Sequence, residues 1–333
     1  MTFENLREEA SYKIRTMRWV LVAGALLTLA KFLAWYVTHS NAVLTDALES
    51  IINVVAAAFG LFSLIYSARP KDENHPYGHG KIEFLAVGFE GGLIFFAGGA
   101  VIVKAVLALI HPHEIDQLIV GISITASTGV INLLIGKFLV KKGDQMRSQT
   151  LVADGQHLLA DTWSSAGLLA GLIIIYFTGL YWIDSVLAIL LGGYIIVVGV
   201  KLIRNALAGL MDETDFTIVD EIVSVLNKER KQKWIDIHNL RVVKYGSMLH
   251  VDAHLTLPWY DDLRTTHTDV KGLEDIINLH FKNRVEFFIH TDPCLPSSCT
   301  VCMIRDCKVR QVSFEKRIEW TSENLLINKK HSV

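Results

Sequence analysis

Six apolar runs, each near or above the ~20 residues that cross a bilayer as a helix, occupy residues 18–38, 42–66, 84–110, 117–140, 151–178 and 182–208. A polar, charged lead over residues 1–17, with Arg7, Lys13 and Arg15, precedes them. The first run is too long for a signal-peptide core and lacks a small-residue cleavage site, so it is expected to persist as a span. Past Asp212 the period changes. Residues 216–230 repeat apolar positions at helical spacing, and 235–245 with 248–258 read as paired strands around a Tyr-Gly-Ser turn. In the second strand Val251, Ala253, Leu255 and Leu257 alternate with His250, Asp252, His254 and Thr256, which sends the apolar set to one face. A second helix over 262–281 and a third strand over 285–290 complete an order αββαβ, a small sheet with helices on one face. After Pro293 the only expected element is a short helix near 314–320. The expected organisation is therefore a lead (1–17), a six-helix membrane domain (18–211), an α+β domain (212–293) and a cysteine-containing tail (294–333).

Composition agrees with a chain that is part membrane, part water-soluble. Of 333 residues 51% are hydrophobic, and the mean hydropathy is +0.35. The formal charge of −2 offers no bulk attraction to nucleic acid. Basic residues instead segregate by loop: segments 38–41, 111–116 and 179–181 carry no Lys or Arg, whereas the connections after spans two and four carry Arg69, Lys71, Lys81, Lys141, Lys142 and Arg147. Basic loops mark the cytoplasmic face, which puts both termini in the cytoplasm. All four cysteines, Cys294, Cys299, Cys302 and Cys307, fall in the tail, a placement suited to a reducing compartment rather than a disulfide framework.

Two apolar runs carry matched polar stripes. The fifth has Asp154, His157 and Asp161, the second Asp46, Glu49 and Asn53, each set at positions i, i+3 and i+7. Such residues share one helix face, and partners four apart lie about 5–6 Å from each other. An ionisable group at mid-membrane costs roughly 2.5–3.5 kcal/mol on insertion scales, so two stripes point to a shared task. A helix–helix polar contact is the bland reading; a divalent cation between the stripes is the sharper one. Glu49, Asn53, His157 and Asp161 offer three oxygen donors and one imidazole, a set suited to Zn²⁺, Fe²⁺, Mn²⁺ or Co²⁺ and poor for Cu(I). Asp46 and Asp154, one turn away, would orient those ligands or help strip water from the ion.

Three further clusters carry chemistry. Asp72, Glu73, His75 and His79 sit in the turn-rich KDENHPYGHGK between spans two and three, where a metal site and a solvated loop read equally well. In the soluble domain His238, His250, His254, His267, His290 and Asp292 suggest a second cluster, against the alternative of a solvated face. In the tail, C-x4-C-x2-C-x4-C is a modest soft-metal signal, matched by the alternative of a reduced, unmetallated segment. Other chemistries fail on spacing: His113-Glu114 lacks the second zincin histidine, and no GxxxxGK[ST] phosphate loop, nucleophile elbow or dinucleotide fingerprint is found. No nucleotide is expected.

These residues together resemble the cation diffusion facilitator family of metal/proton antiporters, over nearly the whole chain: six spans, HPYGHGK after the second, ADGQHLLAD opening the fifth, and the αββαβ domain. The resemblance implies a transport site at Glu49, Asn53, His157 and Asp161. Asn53 departs from the usual Asp and removes one carboxylate. It also implies a loop site at Asp72, His75 and His79 and a cytosolic site at His238, His254, His267, His290 and Asp292 in a ferredoxin- or metallochaperone-like domain that regulates and dimerises. Lys81 and Asp212 would pair at the cytoplasmic membrane edge, across a homodimer. His157 is the expected proton carrier, because imidazole titrates near neutral pH. The implied protein is not an enzyme. It is a homodimer in the plasma (cytoplasmic) membrane that exports Zn²⁺ first, with Fe²⁺, Mn²⁺ and Co²⁺ open. A membrane metal receptor that binds without translocating, and an intramembrane metallohydrolase, remain the competing classes.

Overall fold

The computed structural model describes residues 3–38, 41–110, 118–178 and 182–332; the side chains of Asp46 and Glu49 lie outside the described set, as do residues 39–40, 111–117 and 179–181, in and beside the three connections without Lys or Arg. The chain divides into two units at Met211/Asp212. In the first, the six expected spans are six long helices: α1 Phe3–Thr38, α2 Asn41–Ser67, α3 Ile82–Ile110, α4 Leu118–Met146, α5 Gln149–Thr178 and α6 Trp182–Leu210. The charged lead is thus helical and continuous with the first span. Stretches long and apolar enough to cross a membrane run over Arg7–Leu33, Ser50–Ser67, Ile82–Ile110 and Ser185–Leu210, counted on described residues alone. Leu29, Leu33, Phe96, Val103, Leu134 and Val197 are exposed on these helices, which a lipid surface would cover and water would penalise.

Two antiparallel helix pairs are drawn close by glycine. Gly91 and Gly98 of α3 face Gly199 and Gly192 of α6, and a Cβ on either α3 glycine would lie 2.9 Å from the opposing carbonyl oxygen. Gly136 of α4 and Gly155 of α5 approach in the same way, with a Cβ at 3.0 and 2.9 Å from the other's carbonyl. Backbones in lipid gain nothing from hydrophobic exclusion, so this close van der Waals fit is what binds helix to helix. α2 meets α5 through Ala57, Leu64 and Leu151, in a cluster with Met17 and Leu139, and through the facing hydroxyls of Ser63 and Thr150, 3.3 Å apart.

The second unit opens with α7, Phe216–Glu229, whose first turn is capped by Asp215 accepting from Thr217 N–H. A hairpin of β1, Asp236–Tyr245, and β2, Met248–Leu257, turns at Gly246, where φ is +61°; a two-residue hairpin needs that left-handed backbone. Helix α8, Leu263–His280, capped by Asp262, leads to β3, Val285–Pro293. The sheet order is β1-β2-β3, with β1 antiparallel and β3 parallel to the central β2. Leu249, Val251, Ala253, Leu255 and Leu257 pack against Val219, Ile222 and Leu226 of α7 and Leu273 and Ile277 of α8, so the αββαβ reading holds. His250 and Thr256, on the polar set, are buried as well.

The tail differs from expectation. No helix forms over 314–320; a short α9 instead spans Ser322–Leu325. The segment 314–320 is instead tied to its neighbours: Glu315 and Lys316 N–H both bond to Thr300 O. Arg230 Nη1 donates to Ile318 O at 2.6 Å, and Asn227 Nδ2 donates to Trp320 O at 2.6 Å. Trp320 is buried beneath the Arg230 guanidinium, 3.7 Å from its ring. Those carbonyls are committed to α7, and the chain can turn helical only after Thr321 caps it.

Gly199→Val is expected to lower the thermal midpoint of the detergent-solubilised protein, an overpacking cost of about 1–3 kcal/mol, because its Cβ would sit 2.7 Å from Phe95 N. Gly92→Ala, whose Cβ meets nothing within 4 Å, should leave the midpoint unchanged or slightly raised.

Candidate metal sites

Spans two and five meet through three side chains. Asn53 Nδ2 donates to Asp161 Oδ2 at 2.8 Å, and His157 Nε2 lies 2.9 Å from Asn53 Oδ1. An ionised carboxylate only accepts, so the amide turns its NH₂ to Asp161 and its carbonyl to His157, and Nε2 is then the donor. His157 Nε2 and Asp161 Oδ2 are 3.7 Å apart, near the separation of two ligands on one ion. Asn53, Asn132, Asp154 and His157 give polar lining to a small cavity otherwise walled by residues such as Val20, Leu27 and Ala56. Asp154 is buried with Oδ2 unpartnered among the described residues. Asn53, His157 and Asp161 are thus brought together; Glu49 and Asp46 fall outside the described side chains. The site holds one residue that spacing missed. Glu90 of α3 is buried with Oε1 3.5 Å from His157 Nδ1. Its only sequence signal is a carboxylate inside an apolar helix, two turns after Glu83.

The loop cluster converges. Ligand atoms of Asp72, His75 and His79 all lie within 4.8 Å of one another: Asp72 Oδ1 is 3.0 Å from His75 Nδ1 and Oδ2 is 3.2 Å from His79 Nε2. Its hydrogen bond from the His75 side chain, joined by the His75 backbone N–H, holds the Asp72 carboxyl below the usual carboxylate value. His79 is buried against the edge of Tyr66. Lys81 precedes α3, and Asp212 follows α6 with φ +56°.

The cytosolic cluster follows from strand register. His238 on β1 pairs with His254 on β2, which pairs with His290 on β3, so three imidazoles form one row across the sheet. Asp292 Oδ2 lies 3.4 Å from His238 Nε2 and 3.2 Å from His254 Nδ1. Ligand atoms of His238, His254 and Asp292 lie within 4.8 Å of one another. His290 lies against His254 with ring centres 4.7 Å apart and planes tilted by 42°, its Nε2 3.9 Å from Asp292 Oδ1. His267 is exposed on α8 and does not join this convergent set; His250 sits beside Glu286 instead. Sequence reasoning also missed Asp236, 3.2 Å from His238 Nδ1, and two tail residues. The His331 ring meets Asp236, and Lys330 Nζ lies 3.7 Å from Asp292 Oδ1. Burial pulls the His238 pKa below the ordinary imidazole value, partly opposed by Asp236 and Asp292.

The tail cysteines do not form a ligand set: among the described residues no three of their thiols lie within 4.8 Å of one another. All four are free. Burial raises the Cys302 pKa.

Two family descriptions cover this arrangement, the cation efflux transmembrane domain over residues 17–211 and the cation efflux protein cytoplasmic domain over residues 215–294. The chain belongs to the cation diffusion facilitator family. This facilitator is 29% identical to an uncharacterised transporter of Synechocystis over 77% of its own length and 83% of the relative's. It is 26% identical to the cation-efflux pump FieF of Cronobacter sakazakii, over 82% and 90% of the two chains. It is 27% identical to metal tolerance protein C1 of Arabidopsis thaliana, over 86% and 64%. The family is one of cation transporters, and the chain is a multi-pass membrane protein on the evidence of its transmembrane domain.

His238 gives this facilitator a pH signature. Its folded pKa is below that of the unfolded chain, so its contribution to stability is complete above about 6.5. That contribution is lost as pH falls through the lowered folded value, because the unfolded state then binds the extra proton. In the metal-free protein, hydrogen-exchange protection of β1 should decline below pH 6.5 after correction for intrinsic rates, and His238→Asn should flatten the decline.

Proposed function

We propose that the chain is a homodimeric secondary transporter that exports a divalent transition metal from the cytoplasm in exchange for protons. The observation that carries the reading is the hydrogen-bonded bridge from His157 through Asn53 to Asp161, linking α5 to α2. In the substrate-loaded state Nε2 of His157, Oδ2 of Asp161 and Oδ1 of Asn53 would face the ion, with Glu49 completing the set. Zn²⁺ is the first choice on imidazole content; Fe²⁺ and Mn²⁺ follow because oxygen donors predominate.

Exchange rests on competition at the same atoms. The ion binds deprotonated ligands, so a proton at Nε2 or on a carboxylate weakens its hold. His157 is the proposed proton carrier, since imidazole changes charge near physiological pH. Rocking of the helices would expose the site to each side in turn. Both termini are proposed to be cytoplasmic on the loop-charge asymmetry, in a plasma membrane. The convergent loop and cytosolic sets are proposed as regulatory metal sites, and the cytoplasmic domain as the dimerisation element; the family description of that domain supports this.

Asp161→Ala is expected to abolish metal-dependent proton flux in proteoliposomes; undiminished flux would refute the site. A protein that binds Zn²⁺ stoichiometrically but drives no time-dependent uptake would be a receptor instead. Asn53→Asp restores a carboxylate and is expected to change the order of preference among Zn²⁺, Fe²⁺ and Mn²⁺ in competitive uptake.

A further inference from the structure

Glu90 is an acidic residue deep in the apolar helix α3, and the cation site as read from spans two and five does not use it. Its side chain is nine-tenths buried. Oε1 has no hydrogen-bond partner among the described residues, and neither has His157 Nδ1. These two orphaned atoms face each other at 3.5 Å, one short adjustment from a hydrogen bond. Glu90 cannot easily withdraw. The next residue, Gly91, is locked against α6, where an added Cβ would meet Gly199 O and Leu202 Cβ at 2.9 Å.

The two edges of the His157 ring therefore look at different things. Nε2 faces Asn53 Oδ1 at 2.9 Å and Asp161 Oδ2 at 3.7 Å; Nδ1 faces Glu90. A neutral imidazole carries one N–H. If Nε2 is to offer its lone pair to an ion, that hydrogen must sit on Nδ1, and in an apolar interior it requires an acceptor there. A ligating histidine commonly meets a carboxylate at its other nitrogen, which sets both tautomer and ring plane. We infer that Glu90 is a positioning residue for His157: it accepts the Nδ1–H and holds the ring with the Nε2 lone pair turned toward the cation. Glu90 lies on the far edge of the ring from Asp161 and acts through His157, not on the ion. The empty site shows the other tautomer, with Nε2 donating to Asn53. Loading a neutral ring moves its hydrogen from Nε2 to Nδ1, and the proton-bound state would carry hydrogens on both edges.

This inference rests on His157 being a transport ligand, so its test carries a control for that reading. Zn²⁺ uptake into proteoliposomes is measured for wild type, Glu90→Met, Glu90→Gln and Asp161→Ala, each checked by size exclusion. Met keeps the bulk without an acceptor; Gln keeps an amide oxygen that can accept the same N–H. Glu90→Met is expected to raise the KM for Zn²⁺ about 10–100-fold with a smaller change in maximal rate, and Glu90→Gln to recover most of that loss. A wild-type KM in Glu90→Met, or a Gln variant as poor as Met, would overturn it. Wild-type protein labelled with ¹⁵N-histidine and loaded with Zn²⁺ gives a reading that needs no variant to fold: His157 should show a protonated Nδ1, and a protonated Nε2 would sink the idea. If Asp161→Ala transports normally, the site itself is misread. If it is dead while Glu90→Met is unaffected, only the role of Glu90 falls.

Discussion

An imidazole and a carboxylate inside a bundle of apolar helices have no bulk water to answer them, so each must be met by another protein group. In this chain one asparagine meets both. The Asn53 amide gives a hydrogen to Asp161 and receives one from His157, and no residue with only donors or only acceptors could do the same. That bridge decides where α2 stands against α5, and the geometry of the cation site follows from it.

A polar bridge of this kind is specific only if the helices beneath it are held. The glycine contacts do that: α3 lies on α6 and α4 on α5 with backbones near touching distance, so Glu90 and His157 are presented from rigid surfaces rather than loops. The cytosolic cluster uses a different rigid element for the same end. Strand register sets His238, His254 and His290 side by side, and the tail returns to place His331 on Asp236 and Lys330 near Asp292. In both units the orientation of the proposed ligands is set in part by neighbours outside the proposed ligand sets.

What could be read from sequence was what repeats locally. A spacing of four on a helix is visible in a string of letters, so His157 and Asp161 stood out, and so did the alternation that put Val251 and Leu255 in the core. The loop triad was visible because Asp72, His75 and His79 lie within eight residues. Glu90 was not, because a single carboxylate has no period and its partner lies on another helix. The same holds for His331, nearly a hundred residues from Asp236. The helix expected over 314–320 is absent for a related reason: local propensity says nothing of the distant groups, Thr300, Arg230 and Asn227, that bind this segment. Conversely C-x4-C-x2-C-x4-C, a local pattern with the look of a ligand set, folds without bringing three thiols together.

An asparagine at position 53, where the resemblance implies an aspartate, bears on what the proposed exchanger must do without its ion. With Asp at position 53, two carboxylates would face each other across α2 and α5, and their repulsion in a dry interior could be relieved only by a metal ion or by protons. Such a site holds its ion hard and returns only when protonated. Asn53 changes that balance. Its amide hydrogen-bonds both Asp161 and His157 in the ion-free state, and an ion would have to displace those bonds in order to bind. The expected consequence for a transporter is weaker binding and easier release, with fewer protons needed to discharge the cation. On the proposed reading, His157 would carry more of the coupling than it would beside a second carboxylate, and control of its ring by Glu90 would matter more than in a site with a full acidic complement.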